Sequence, residues 1–97
     1  MRVCWTETAE AHLDAIHAYI AQDSETYAAR IVDQITRRSQ QIGEFPLSGR
    51  KVPEYERDQI REVFSGPYRI ICHIMAEQID VIAVIHGAMN VPQGKQE

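Results

Sequence analysis

Arg61, Arg69 and His86 are the residues of this chain with the most chemistry to offer. Arginines beside a histidine can hold a phosphate and stabilise the charge that develops when a phosphodiester is cleaved, with the histidine as acid or base. His73 is a second candidate for the proton. The same residues have a structural use: Arg61 and Arg69 can pair with Glu54, Glu56 or Glu62, and His86 can close the end of a strand. The residue types alone leave both readings open. Other combinations fall on geometry. Cys72 and His73 are neighbours in a predicted strand, so they point to opposite faces and cannot work as a nucleophile and its base. His12 and His17 are five apart on a predicted helix, not the i, i+4 pair of a helical zinc site, and no CxxC or Glu-rich cluster supports them. They read as solvated helix residues. No metal site and no cofactor is expected. Cys4 and Cys72 read as buried reduced thiols.

The elements that must position these side chains start with Ile60 to His86. This stretch reads as three antiparallel strands, broken at Ser65-Gly66-Pro67 and again near Ala76-Glu77-Gln78. Alternation puts Tyr68, Ile70, Cys72 and Ile74 on one face of the middle strand and Arg69, Ile71, His73 and Met75 on the other. In the last strand it groups Ile79, Val81, Ala83 and Ile85 against Asp80, Ile82, Val84 and His86. The face carrying Arg69, His73 and His86 is expected to be a shallow concave surface rather than a second dry core. Upstream, Arg2–Trp5 looks like a short strand, with Thr6 as N-cap of a helix whose apolar stripe is Ala9, Leu13, Ile16 and Ile20. Asp23 or Ser24 caps a second helix carrying Ala28, Ile31, Ile35 and Ile42, which Gly43 stops. Two amphipathic helices with a joint this short make an antiparallel hairpin. Phe45 to Gln59 reads as one long loop, and loops of that length in compact domains are often functional. The expected fold is therefore α+β, in the order β-α-α-β-β-β, an antiparallel sheet covered by the two-helix hairpin, in a single domain over residues 1–97.

Charge narrows the function. The net charge is −4, and Arg50, Lys51, Arg57, Arg61 and Arg69 are interleaved with Glu54, Glu56, Asp58 and Glu62. Tight binding to nucleic acid through phosphate neutralisation needs a basic stripe, and this segment is nearly neutral. No apolar run has the length of a membrane span, and the first residues lack the pattern of a signal peptide, so the expected compartment is the cytoplasm.

Several fragments then occur together: Trp5-Thr6 with Ala9, Leu13, Ile16 and Tyr19-Ile20-Ala21; Phe45-Pro46; Gly49-Arg50-Lys51-Val52-Pro53-Glu54; Arg61-Glu62; Tyr68-Arg69-Ile70; Val84-Ile85-His86. In this order, over nearly the whole chain, they resemble the RelE/ParE toxin superfamily of bacterial toxin–antitoxin systems. The resemblance implies the same β-α-α-β-β-β fold. RelE-like members cleave mRNA on the ribosome; ParE-like members act on DNA gyrase and perform no covalent chemistry themselves. An acidic chain whose lysines are Lys51 and Lys95, with no tyrosine after Tyr68 and a long hairpin, is similar to the ParE side, as is the ending His86-Gly87-Ala88-Met89-Asn90. The chain departs from the pattern at Cys72, where relatives usually carry tyrosine, and at His12, where an acidic residue is common.

The resemblance thus implies a toxin that binds a protein target, DNA gyrase, through Arg61, Arg69, His86, Met89 and Asn90. A cognate antitoxin is the implied partner in a hetero-oligomer. A groove near Leu13, Ile16, Tyr27, Ile31 and Ile35 could accept its amphipathic helix, or an exposed sheet edge its strand. The alternatives are a RelE-like endoribonuclease acting with ribosome and mRNA, with Arg61 and Arg69 on the phosphate and His73 or His86 moving protons, and an inactive relative that only binds antitoxin.

Overall fold

The structure is a computed structural model and describes residues 1–87. Its elements are β1 (Arg2–Trp5), α1 (Glu7–Ala21), α2 (Glu25–Glu44), β2 (Arg50–Lys51), β3 (Ile60–Ser65), β4 (Tyr68–Ile74) and β5 (Gln78–His86), with the sheet ordered β1-β5-β4-β3-β2. Thr6 caps α1, its side-chain oxygen accepting the Ala9 N–H, and Ser24 caps α2 by accepting the Tyr27 N–H. α2 runs one residue past Gly43. That glycine serves a close approach rather than a stop: a Cβ there would stand 2.7 Å from the Met1 carbonyl oxygen. Between β3 and β4, Gly66 adopts a φ of 55°, a left-handed conformation that side chains disfavour, and opens a two-residue hairpin loop.

Three features differ from expectation. The sheet is mixed, because β1 pairs parallel to β5, from Arg2 opposite Gln78 to Trp5 opposite Val81. The loop after α2 contains an edge strand, β2, antiparallel to β3. Most consequential is a register shift in the β4–β5 ladder, where Cys72 faces Val81 but Ile71 faces Ala83. Ile82 is the extra residue of a β-bulge. It reverses the alternation of the last strand, so Ile79, Val81 and Val84 all point towards the helices, while Ala83 and Ile85 point away.

Both faces of the sheet are covered. On the helical face, Ala9, Ile35, Ile42, Val63, Ile70, Cys72, Ile79, Val81 and Val84 form the main core. Burial there pushes the Cys72 thiol up to about 12, so it stays protonated and inert. On the other face Val52, Ile60, Ile71 and Ala83 form a second cluster, closed by Tyr55. The segment between β2 and β3 folds back over the sheet to supply Val52 and Tyr55. The open concave surface expected on that face is a small dry core, because this segment carries apolar residues spaced to reach it.

Candidate functional site

Arg69 sits at the rim of the second core, and its surroundings decide its chemistry. Its side chain is 7% exposed. Nε donates to Glu62 Oε1 at 2.7 Å, and the two terminal nitrogens grip Glu54 Oε2 and Oε1 at 3.0 and 2.9 Å. Glu62 is fully buried and also accepts from Nε of Arg50. Arg69, Glu54 and Glu62 thus pair in a low-dielectric position, with the fork of Arg69 matched to a carboxylate on each side and the more exposed Arg50 reaching Glu62 from the solvent side,. The Glu54 hydrogen bonds and then those of Glu62 hold the Arg69 guanidinium charged, against the opposing effect of burial. Among the described residues, no buried side-chain nitrogen or oxygen lacks a hydrogen bond.

Arg61 does a different job. Its Nε donates to the Asp58 carbonyl at 2.8 Å and a terminal nitrogen donates to the Gly49 carbonyl at 3.0 Å. It staples both ends of the segment that crosses the outer face. Lys51 adds a pair to Asp58 at 2.8 Å, which holds that carboxyl below its usual range.

His86 is elsewhere. It lies opposite Tyr68 in the ladder, and the two rings meet edge to face with centroids 5.9 Å apart. Tyr68 packs against the main core, on the helical face. Arg69 and Ile85 are the neighbouring pair, directed to the other side. The bulge therefore separates His86 from Arg69 across the thickness of the sheet. His73 faces Asp80 in the half of β4 remote from the Tyr68–His86 end. Arg69 and His73 share the face that alternation gives them, four residues apart along β4, but His86 does not, and the set Arg61, Arg69, His73 and His86 does not converge on one point. Met89 and Asn90 lie outside the described residues.

What does converge is a cleft. α1 diverges from the last turn of the sheet and leaves an apolar space of about 390 Å³ between His12, Ala15, Ile16 and Tyr19 on one wall and Tyr68, Val84, Ile85 and His86 on the other. Its narrow end is pinned: the Val84 N–H donates to Nδ1 of His12 at 3.2 Å. β1 pairs with β5 only as far as Val81, so beyond that point α1 and this imidazole cover the edge of the last strand. Burial raises the Tyr68 phenol, and Tyr27 and Tyr19 raise it further; Tyr19 and Tyr68 both line the cleft.

The residues expected to form a helix-binding groove divide. Ile16 lines the cleft, Leu13 and Ile31 are half-buried against the core, and Tyr27 is 50% exposed. Ile35 is fully buried; the middle of α2 lies flat on the sheet, so this residue has no surface to offer a partner. Among the described residues no cluster of three metal-ligating side chains occurs, and no helix is long and apolar enough to cross a membrane.

Comparison with known proteins places this architecture. The family model for the ParE toxin of type II toxin–antitoxin systems, parDE, matches residues 3–91. The chain belongs to the ParE toxin family. A toxin candidate of Sinorhizobium fredii, Y4kP, is 32% identical over 92 residues, covering 95% of this chain and 94% of that protein. The fold is shared with a solved chromosomal ParDE toxin–antitoxin system from P. aeruginosa, at a TM-score of 0.74 and 21% identity over 89% of this chain and 95% of that one. A type II toxin has an antitoxin partner, and this ParE-like chain inherits that expectation from its family.

Sequence reasoning missed two parts of the site in this toxin. His12 is not a solvated helix residue but an acceptor for the sheet. The only signal was its position on the edge of the apolar stripe, one residue before Leu13. The cleft itself depends on the bulge, which alternation could not reveal.

Proposed function

We propose that this ParE-like toxin acts by binding a protein, DNA gyrase, and not by cutting RNA, and that a cognate antitoxin restrains it by seating an amphipathic helix in the cleft between α1 and β5. One observation carries the choice. The arginines that would have to hold a scissile phosphate are engaged internally, Arg69 by two carboxylates and Arg61 by two backbone carbonyls. Of the two histidines that could move the proton, His86 lies on the opposite face of the sheet from Arg69, and His73 shares that face but stands four residues away along β4, opposite Asp80. Phosphodiester chemistry needs cation and base within hydrogen-bond reach of one reacting centre. The net charge of −4 gives no general attraction to RNA either,. The cleft has the apolar walls and few polar groups that receive one face of a helix.

The test is a supercoiling assay with purified gyrase, closed circular DNA and ATP. Accumulation of cleaved or relaxed DNA that antitoxin reverses is the expected result. If gyrase is untouched while ribosome-bound mRNA is cut, the protein-binding reading is wrong.

A further inference from the structure

The cleft between α1 and β5 ends at a hydrogen bond between a backbone N–H and an imidazole, from Val84 to Nδ1 of His12 at 3.2 Å. Strand geometry gives Val84 no acceptor within the sheet. Ile85 is paired with Arg69, and the Gly87 N–H bonds to the Pro67 carbonyl. These odd positions face β4, so the Val84 N–H faces the opposite edge of β5. On that edge β1 stops at Trp5, opposite Val81, and the next residue, Thr6, directs both its N–H and its hydroxyl to the Val81 carbonyl. Val84 is 2% exposed, so without His12 its N–H would stay unpaired until water entered from the cleft.

The acceptor role fixes the state of the ring. Nδ1 accepts only while it carries no proton; the proton of the neutral ring is then on Nε2, and in the imidazolium both nitrogens are donors. A histidine changes charge between about pH 5 and 8, and His12 is half-buried, within reach of solvent. Among the described residues no acid lines the cleft to hold that charge: the titratable groups around His12 are Tyr19 on α1, Tyr68 on β4 and His86 on β5. One turn away on α1 stand Thr8, Ala9, Ala15 and Ile16, none of them charged. Glu10 and Asp14, two positions to either side, line a separate pocket with Trp5 and Thr36. A proton on Nδ1 therefore removes the bond and sets two donors against each other at an apolar wall.

We propose that His12 is a proton-operated latch: neutral, it holds α1 to the free edge of β5; protonated, it releases the Val84 N–H and opens the narrow end of the cleft, so that antitoxin binding there weakens as pH falls. A helix seated in the cleft takes the imidazole out of water, which a charged ring resists. Both effects have one sign. Latch and affinity are complete above the histidine range and decline as pH falls through it. The coupling to antitoxin rests on the seating proposed above, whereas the latch belongs to the free toxin.

Wild-type toxin and His12→Asn, whose side-chain oxygen accepts at any pH, are compared from about pH 8 to about pH 5. The first readout is amide exchange at Val84, normalised at each pH to the rate of unstructured peptide. Wild type is expected to lose protection by about tenfold for each pH unit below the histidine range, the effect of one proton. Ile70, in the middle of the sheet, should keep its protection, and His12→Asn should hold that of Val84 level. Imidazole nitrogen shifts in wild type supply a check that needs no variant, with the proton expected on Nε2 at the alkaline end. An equal pH course at Val84 in both proteins overturns the latch, as does a neutral ring protonated at Nδ1. The second readout is calorimetric titration with purified antitoxin, in which wild-type affinity should fall relative to His12→Asn by the same factor; His86 and the antitoxin's own groups titrate in both. A latch that titrates at Val84 without this difference in affinity upholds the device and refutes the seating of antitoxin in the cleft.

Discussion

Replacing Arg69 by alanine should weaken toxicity by destabilising the fold, not by removing a contact to target or substrate. The substitution deletes the bond to Glu62 and both bonds to Glu54. Glu62, whose side chain is 0% exposed, keeps only Arg50, itself 59% exposed. Leaving a buried carboxylate short of its partner costs about 3–5 kcal/mol, out of a total stability on the order of 5–15 kcal/mol for a domain of this size. With a urea m-value of about 1.5 kcal/mol/M, the midpoint should fall by roughly 2–3 M. The informative comparison is a triple variant, Glu54→Gln, Glu62→Leu and Arg69→Met, which replaces the whole network by neutral groups of similar volume. Exchanging a buried ion cluster for packed apolar side chains is often neutral, so its stability should lie within about 2 kcal/mol of wild type. Arg50 loses its anchor but stays hydrated. If Arg69 is structural, the triple variant is folded and still arrests growth. A triple variant that melts like wild type yet has lost toxicity would refute the argument, because a folded protein without the arginine should then lack nothing.

Other expectations follow from single contacts. His12→Ala should speed hydrogen exchange at the Val84 amide, whereas His12→Asn, whose side-chain oxygen can replace Nδ1 as acceptor, should keep most of the protection; NMR exchange rates read this directly. Burial raises the Tyr68 phenol above its ordinary value of about 10,, so the stability it contributes is complete below that pH and lost as pH rises through the folded value. Tyr68→Phe should flatten the alkaline limb of the pH–stability curve while retaining the edge-to-face contact with His86. Gly43→Ala brings a methyl to 2.7 Å from the Met1 carbonyl oxygen and should cost about 1–3 kcal/mol in chemical denaturation. Cys72, with its thiol pushed up to about 12 by burial, should resist iodoacetamide at neutral pH until urea unfolds the chain, as mass spectrometry of the tryptic peptides would show.

Much of this fold was legible because local signals agreed. Thr6 and Ser24 announce helices, the Leu13–Ile16–Ile20 and Ile31–Ile35–Ile42 stripes give their inner faces, and Gly66-Pro67 marks the hairpin. The parallel pairing of β1 was hidden because register between distant segments depends on where α1 and α2 return the chain, not on any residue of the strand. β2 was hidden because two residues carry no periodicity. The candidate site was less legible still. Arg61 and Arg69 were singled out by residue type, but their partners are a backbone carbonyl of Gly49 and a glutamate from the crossing segment, contacts that only the folded chain assembles. Ile35 was assigned to a surface because a helical stripe marks an apolar face without saying how deeply each turn is covered.

The bulge at Ile82 makes β5 unequally sensitive to changes in chain length. Removing that one residue would leave Cys72 opposite Val81 and Ile71 opposite Ala83 in an unbroken ladder, with Val84 and His86 still directed to the helical side. Removing one residue from β4 would instead turn half its side chains inside out, sending Arg69 into an apolar core. Homologues of this toxin should accordingly accumulate single-residue gaps at the position of Ile82 and almost nowhere else in the sheet, and alignments that place the gap a few positions away would misassign which ends of the last strand correspond.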